Sequence, residues 1–264
     1  MYIGVDIGGT NIRVGSTASL SDPHIEKRIS FKVTHDYETD FSRLVEELKL
    51  FGPIQAIGIG TAGHMSPDKK MVFRSRNSPE RENKPIVDSL QKIFSCPVFM
   101  ENDGVACAYG EVMYSSKKQT SFMILIWGTG IGGANFKRQN GTVTIEMLGR
   151  EYLDDWQVLC GGRNLEKRYK EPSNLIPSDL DQVMSDFKKH LTILIHMYTP
   201  KNIIFVGGIA VKRAVSLEKI FDEMKAKYKE FQKIGMEVSK FGEDAGLYGA
   251  FGLLYHGGHI DIHS

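Results

Sequence analysis

The chain of 264 residues is poor in cysteine, in net charge and in long apolar runs, and each scarcity closes off a class of function. Cys96, Cys107 and Cys160 are few and scattered, so neither a disulfide framework nor a thiolate cluster is available, which suits a reducing cytosol. The 33 basic residues against 32 acidic ones leave a net charge of +1, with no field to gather nucleic acid or an anionic membrane. No window approaches the roughly 20 apolar residues of a membrane span. The N-terminus runs straight into a strand pattern at Tyr2–Val5 without a basic leader, so no signal peptide is expected and the expected location is cytoplasmic. What remains is the composition of an ordinary globular enzyme, 41% hydrophobic and 25% charged, with core enough for one large domain or two moderate ones. Glycine is the residue in excess, at 27 copies, and it gathers in turns.

Two of those turns carry most of the information. The first is Val5-Asp6-Ile7-Gly8-Gly9-Thr10-Asn11, between strand patterns at Tyr2–Val5 and Ile12–Gly15. The second is Trp127-Gly128-Thr129-Gly130-Ile131-Gly132-Gly133, between Phe122–Trp127 and Ala134–Lys137. A turn without side chains lets backbone N–H groups approach a polyphosphate closely. Gly-Gly is also a common loop of a plain tight hairpin, so either turn alone is weak evidence. Asp6 adds to the first, because a carboxylate at a strand end beside such a turn can hold a hydrated Mg²⁺. Thr10 brings a hydroxyl and Arg13 a cation, which could equally be a solvated strand residue. The second turn also has the Gly-x-Gly-x-x-Gly spacing of dinucleotide folds, but that motif needs a helix next, and a short strand and turn follow here.

Between the turns, Pro97–Met100 reads as a strand delivering Glu101-Asn102-Asp103 to a helix of small residues. In phosphoryl transfer to a hydroxyl one carboxylate accepts the hydroxyl proton, and Asp103 is the candidate. Its alternative role is the helix N-cap, where Asp is favoured.

The remaining pattern is α/β. His24–Val33 suggests an edge strand. Phe41, Leu44, Val45 and Leu48 mark a helix ended by Gly52-Pro53, and Ile54–Ile59 reads as a buried strand. Ile86, Leu90 and Ile93 suggest a second helix. After an irregular stretch, a helix starts near Ser178, a plausible N-cap, with a stripe of Leu180, Val183, Met184, Phe187, Leu191, Leu194 and Ile195. Ile203–Val206 leads into Gly207-Gly208. One α/β arrangement is used twice. Met65, Met100, Met113, Met123, Met147, Met184 and Met197 read as core filler, and His256, His259 and His263 as a solvated tail.

These motifs together resemble the ROK sugar kinases of the actin/hexokinase/Hsp70 superfamily. The resemblance rests on Asp-Ile-Gly-Gly-Thr, Glu-Asn-Asp before a helix ending Tyr109-Gly110-Glu111, Gly-Thr-Gly-Ile-Gly-Gly, Phe205-Val206-Gly207-Gly208-Ile209 and Asp244-Ala245-Gly246-Leu247-Tyr248-Gly249-Ala250. It runs in family order over nearly the whole chain. It implies a two-lobed, ribonuclease H-like α/β fold, each lobe a mixed sheet with flanking helices and the nucleotide in the cleft. The first lobe would span residues 1–113, completed by 246–264, and the second 114–245. It implies a glucokinase- or hexokinase-like transfer of the γ-phosphoryl of Mg-ATP to a sugar hydroxyl, the 6-hydroxyl of a hexose or hexose derivative. Asp103 would be the base. Asn77, Asn102, Glu146 and Glu166 would contact the sugar. Asp6, Gly8, Gly9, Thr10, Asn11, Arg13, Gly128, Thr129, Gly130, Gly207 and Gly208 would hold the nucleotide, with Asp6 holding Mg²⁺ through water. The expected partner is a small sugar, with no nucleic acid and no membrane, and a homodimer stays open. A sugar- or nucleotide-binding regulator on the same fold is the alternative, although the family's repressors carry a DNA-binding segment ahead of the first strand.

The chain departs from the family at its zinc motif. Gly149 stands where the family has His, and Cys160 is the one cysteine of the expected cluster. One cysteine without a histidine cannot make a four-ligand site, so no zinc is expected. Asp154, Asp155 and Trp156, in the same segment, receive no role.

Overall fold

The structure is a computed structural model that describes residues 1–115, 119–169 and 177–257. The chain divides into two compact units. The first begins at Met1 and is rejoined by the chain from Asp244, and the second spans Gln119–Glu243. Residues 258–264, with His259 and His263, lie outside the described residues, as does the side chain of Ser178.

In the first unit, β1 (Tyr2–Ile7), β2 (Asn11–Thr17) and β3 (Lys27–Lys32) form an antiparallel meander, and β4 (Ala56–Thr61) and β7 (Val98–Asn102) extend it in parallel. The strand order is β3-β2-β1-β4-β7, which leaves the charged segment Lys-Arg-Ile-Ser-Phe-Lys on one edge. A small hairpin of β5 (His64–Met65) and β6 (Val72–Arg74) leaves the end of β4. One face of the sheet packs on α1 (Tyr37–Lys49) and α2 (Ile86–Phe94) through Ile3, Val5, Ile57, Leu44, Leu48, Val87 and Leu90. Asp36 caps α1, accepting from Thr39 N at 2.9 Å. In α2 the buried side is Ile86, Val87 and Leu90, and Ile93, expected in the core, is exposed.

The other face receives α3 (Asp103–Tyr114) and α9 (Ala245–Tyr255). These helices meet backbone to backbone. A Cβ on Gly249 would lie 2.6 Å from the Ala106 carbonyl carbon, and one on Gly110 would lie 2.7 Å from Gly249 N. The small-residue run of α3 therefore permits close approach. His256, expected in a solvated tail, is half-buried with its ring 5.6 Å from that of Tyr109, and burial pulls its pKa down.

The second unit repeats the sheet. Strands β8 (Ser121–Trp127), β9 (Ile131–Gln139) and β10 (Thr142–Met147) are antiparallel, β11 (Asn202–Val206) and β12 (Gly235–Val238) add in parallel, and the order is β10-β9-β8-β11-β12. Its core is built from Trp127, Trp156, Phe187 and Phe205, with Trp127 and Phe187 stacked at 4.2 Å. Around it lie α4 (Arg150–Cys160), α5 (Gly162–Tyr169), α6 (Pro177–Tyr198), α7 (Gly208–Lys212) and α8 (Ala214–Lys227). The stretch expected to be irregular thus holds a strand and two helices. Leu153, Trp156 and Cys160 do give α4 a helical apolar spacing, whereas α5 buries only Gly162 and Leu165 and offers little period to read. Met100, Met123 and Met184 are core, but Met197 is exposed. No helix among the described residues is long and apolar enough to cross a membrane.

Candidate active site

Three parallel strand ends build the site in the first unit. The register sets Asp6 beside Gly60 and Gly60 beside Glu101, at the C-terminal ends of β1, β4 and β7. Ligands bind at such ends in open α/β sheets. Two strand spacings separate β1 from β7, about 10 Å. Gly60 between them lets α3 pack close, since a Cβ there would lie 3.3 Å from the Ala106 Cβ and 3.9 Å from the Asp103 Cα.

Asn102, not Asp103, caps α3. Its Oδ1 accepts from Gly104 N at 2.9 Å and Val105 N at 3.3 Å, and its Nδ2 donates to Gly63 O at 3.0 Å. The capping alternative for Asp103 is thereby taken by its neighbour, which leaves one Asn102 amide hydrogen without a bond to the chain among these contacts. Asp103 is the first residue of the helix and accepts from Gly104 N at 2.9 Å. Desolvation pushes its carboxyl up to about 6, the Asp6 charge adds to this, and the Gly104 N–H opposes it.

Asp6 is also raised above the usual carboxylate range, by desolvation first, against the pull of Arg13 and the more distant charge of Arg81. Arg13, its cross-strand partner, donates from a guanidinium nitrogen to Oδ2 at 3.1 Å. A Cβ on Gly246 would lie 2.5 Å from the Asp6 Cγ, so the first turn of α9 has to be bare there. Two half-buried acids that repel each other are thus held within one another's field, and Arg13 pairs directly with Asp6.

The turn after β1 is fastened from behind. Gly8 N donates to Asn11 O at 3.0 Å and Val33 N to Thr10 O at 2.9 Å. Arg81, only 3% exposed, donates to Ile7 O at 3.3 Å and Gly8 O at 3.1 Å. It sits at the end of a short 3₁₀ turn, Pro79–Arg81, on the loop that carries half-buried Asn77. Lys69 reaches buried Glu101, with its ammonium 3.1 Å from each carboxylate oxygen. Sequence reasoning missed Arg81 and Lys69, because a cation in a polar loop reads as solvated.

In the second unit the glycine turn follows β8. Gly128 N donates to Gly130 O at 3.0 Å, and the start of α5 grips the turn from Gly162 N to Gly128 O at 3.0 Å and Arg163 N to Thr129 O at 2.9 Å. Gly207, at φ +102°, passes so close that a Cβ would lie 2.6 Å from Trp127 O. Gly128 and Gly208 have no atom near their missing side chains, so this side of the turn is open. Gly162 was the overlooked member, its signal being the Gly161-Gly162 pair in a segment read as irregular.

The other expected residues are less gathered. Asn11 opens β2 and Thr10 is exposed. Glu146 is exposed on β10 and accepts from the Asn135 amide at 3.2 Å, while Glu166 is exposed on α5. Cys160 is core: burial pushes its thiol up to about 12, its Sγ donates to Val183 O, and its carbonyl accepts from Trp127 Nε1 at 2.8 Å. Trp156 is core as well, stacked on His190 at 5.8 Å. Among the described residues no three His, Cys, Asp or Glu side chains group as metal ligands.

The sequence model of the ROK family matches residues 2–161. The glucokinase of Pyrobaculum calidifontis is 24% identical over 96% of this chain and 95% of its own length. A ROK family glucokinase from Streptomyces griseus, solved with glucose and AMPPNP, superposes with a TM-score of 0.74 at 18% identity, over 96% of this chain and 98% of that one. A ROK family transcriptional regulator, a homologue of the E. coli MLC protein, superposes with a TM-score of 0.73 at 15% identity, over 97% of this chain and 79% of that one. At these identities the two solved structures speak for the fold.

Proposed function

The chain belongs to the ROK family, and from that premise we propose that it is an ATP-dependent sugar kinase. It transfers the γ-phosphoryl group of ATP to a hydroxyl, the 6-hydroxyl, of a hexose or hexose derivative. The observation that carries this reading is the Asp103 carboxyl, which follows the end of β7, is desolvated, and is pushed up to about 6 with a contribution from the Asp6 charge two strands away. A base of that strength is ionised at neutral pH yet strong enough to draw a hydroxyl proton. Asp103 takes that proton as the hydroxyl oxygen bonds to the γ-phosphorus, and the bond from that phosphorus to the ADP oxygen breaks.

The Gly8–Thr10 turn takes phosphate oxygens of the donor in the first unit, and Gly128–Gly130 with Gly207 and Gly208 take the nucleotide in the second. Arg13 restrains Asp6. The Asp6 carboxylate, at a strand end beside the Gly8–Thr10 turn, would hold a hydrated Mg²⁺ through water, and the ion when bound would neutralise phosphate charge. The donor set does not fit zinc, with Cys160 turned into the core and Gly149 at the histidine place. Asn77 and Asn102 are assigned to the sugar, as are Glu146 and Glu166 by resemblance alone. The free cysteines suit a reducing, cytoplasmic compartment.

ADP release from Mg-ATP is measured across hexoses, N-acetylhexosamines and polyols, with Asp103→Ala beside the native chain. A sugar-dependent rate lost in the variant supports the reading and names the substrate class. The likeness to a regulator favours a second reading, sensing without catalysis. Nucleotide or sugar binding with no turnover on any acceptor would select it.

A further inference from the structure

Resting on the reading of Gly8–Thr10 as a phosphate turn, we propose that Arg81 is a positioning residue that ties the acceptor loop to that turn, so that acceptor and nucleotide bind cooperatively. A buried guanidinium is costly unless its donors are used. Here they are directed at two successive carbonyls, Ile7 O at 3.3 Å and Gly8 O at 3.1 Å, and the Glu80 carboxylate lies 3.8 Å from Nε. A planar fork spans two such acceptors in one plane, and an ammonium does not.

The placement has an electrostatic consequence. With Thr10 O held by Val33 N and Asn11 O by Gly8 N, the carbonyls of Ile7, Gly8, Thr10 and Asn11 are all engaged by donors of the chain. Their negative ends are kept from an anion on the turn, and a full positive charge stands behind it. The connection to the acceptor is short. Arg81 follows Asn77 on a loop closed at its base, where Ser75 N donates to Glu82 Oε1 at 2.7 Å. The same loop also reaches the chain after β3, where Glu80 lies 3.5 Å from His35 Nδ1, two residues after Val33. The loop that carries Asn77 is thus held at its base by Glu82 and, four residues beyond Asn77, by Arg81 on the Ile7 and Gly8 carbonyls. Ordering it with a sugar orders the phosphate turn, which is a coupling free energy between two sites.

The test titrates the native chain, Arg81→Lys and Arg81→Met with Mg-AMPPNP, with and without the sugar that gives the highest rate in the panel above. The native chain is expected to bind nucleotide about 10-fold more tightly with sugar present. In both variants that factor is expected to fall below about 2, while each ligand still binds alone and thermal unfolding stays cooperative. A factor that persists in the folded variants overturns the proposal and leaves Arg81 a structural residue. Should Arg81→Met fail to fold, Arg81→Lys decides. A native chain that binds sugar and nucleotide independently overturns the coupling alone. A native chain that binds no nucleotide overturns the kinase reading, and the coupling with it, before any variant is made.

Discussion

Asp103→Asn removes one charge and keeps the shape that accepts from Gly104 N, so its effect on stability isolates the electrostatic cost of the site. In the folded chain the carboxyl holds its proton at about 6, against an ordinary 3.8, because desolvation and Asp6 disfavour the charged form. Between those two values the folded state carries a proton that the unfolded state has released, so stability falls as pH rises through the window. Below 3.8 the penalty is absent, and above 6 it is complete, at up to about 3 kcal/mol. Urea denaturation from pH 3.5 to 8 is therefore expected to show the Asp103→Asn variant matching the native chain at the acid end. It should exceed the native chain by up to about 3 kcal/mol above pH 6.5, while sugar-dependent turnover is lost. The reasoning is refuted if the variant is no more stable at pH 7.5, or if the gain does not change with pH. A stabilising substitution that abolishes activity is the signature of an acid held in place for function.

Three further outcomes follow from the same geometry. The native chain's kcat/KM should decline on the acid side with an apparent pKa near 6, and a limb near 4 would detach Asp103 from the proton transfer. Gly246→Ala puts a Cβ 2.5 Å from the Asp6 Cγ. It is expected to cost about 1–3 kcal/mol and at least about 10-fold in kcat, read by thermal denaturation and turnover, and unchanged activity would show Asp6 free to move aside. Gly162→Ala puts a Cβ 2.4 Å from Gly128 O. It should weaken AMPPNP binding at least about 10-fold, from a displaced turn worth about 1.4 kcal/mol or more, with binding of the sugar acceptor altered less.

Much of the fold was legible along the chain because local chemistry announces it. Glycine turns between apolar runs mark β1–β2 and β8–β9, and the stripe from Val183 to Ile195 marks α6. Where the local signal was thin, the reading failed. Segment α5 buries only two residues, β10 lies at an edge with little alternation, and both passed for irregular chain. Ile93 faces solvent because Val87 supplies the third buried position of α2.

The sequence by itself determined the family and singled out its motif residues, since close backbone approach in a turn favours glycine and a carboxylate at a strand end is a ready proton acceptor wherever the chain folds. Only the tertiary structure decided how those residues are supported. Asn102 takes the cap and releases Asp103, Gly246 shapes the room around Asp6, and Arg81, 73 residues from Gly8, secures the first turn. Each of these depends on what lies across a sheet or beneath a loop. The electrostatic character of a desolvated group depends on that surrounding density and charge, and a linear pattern does not record it.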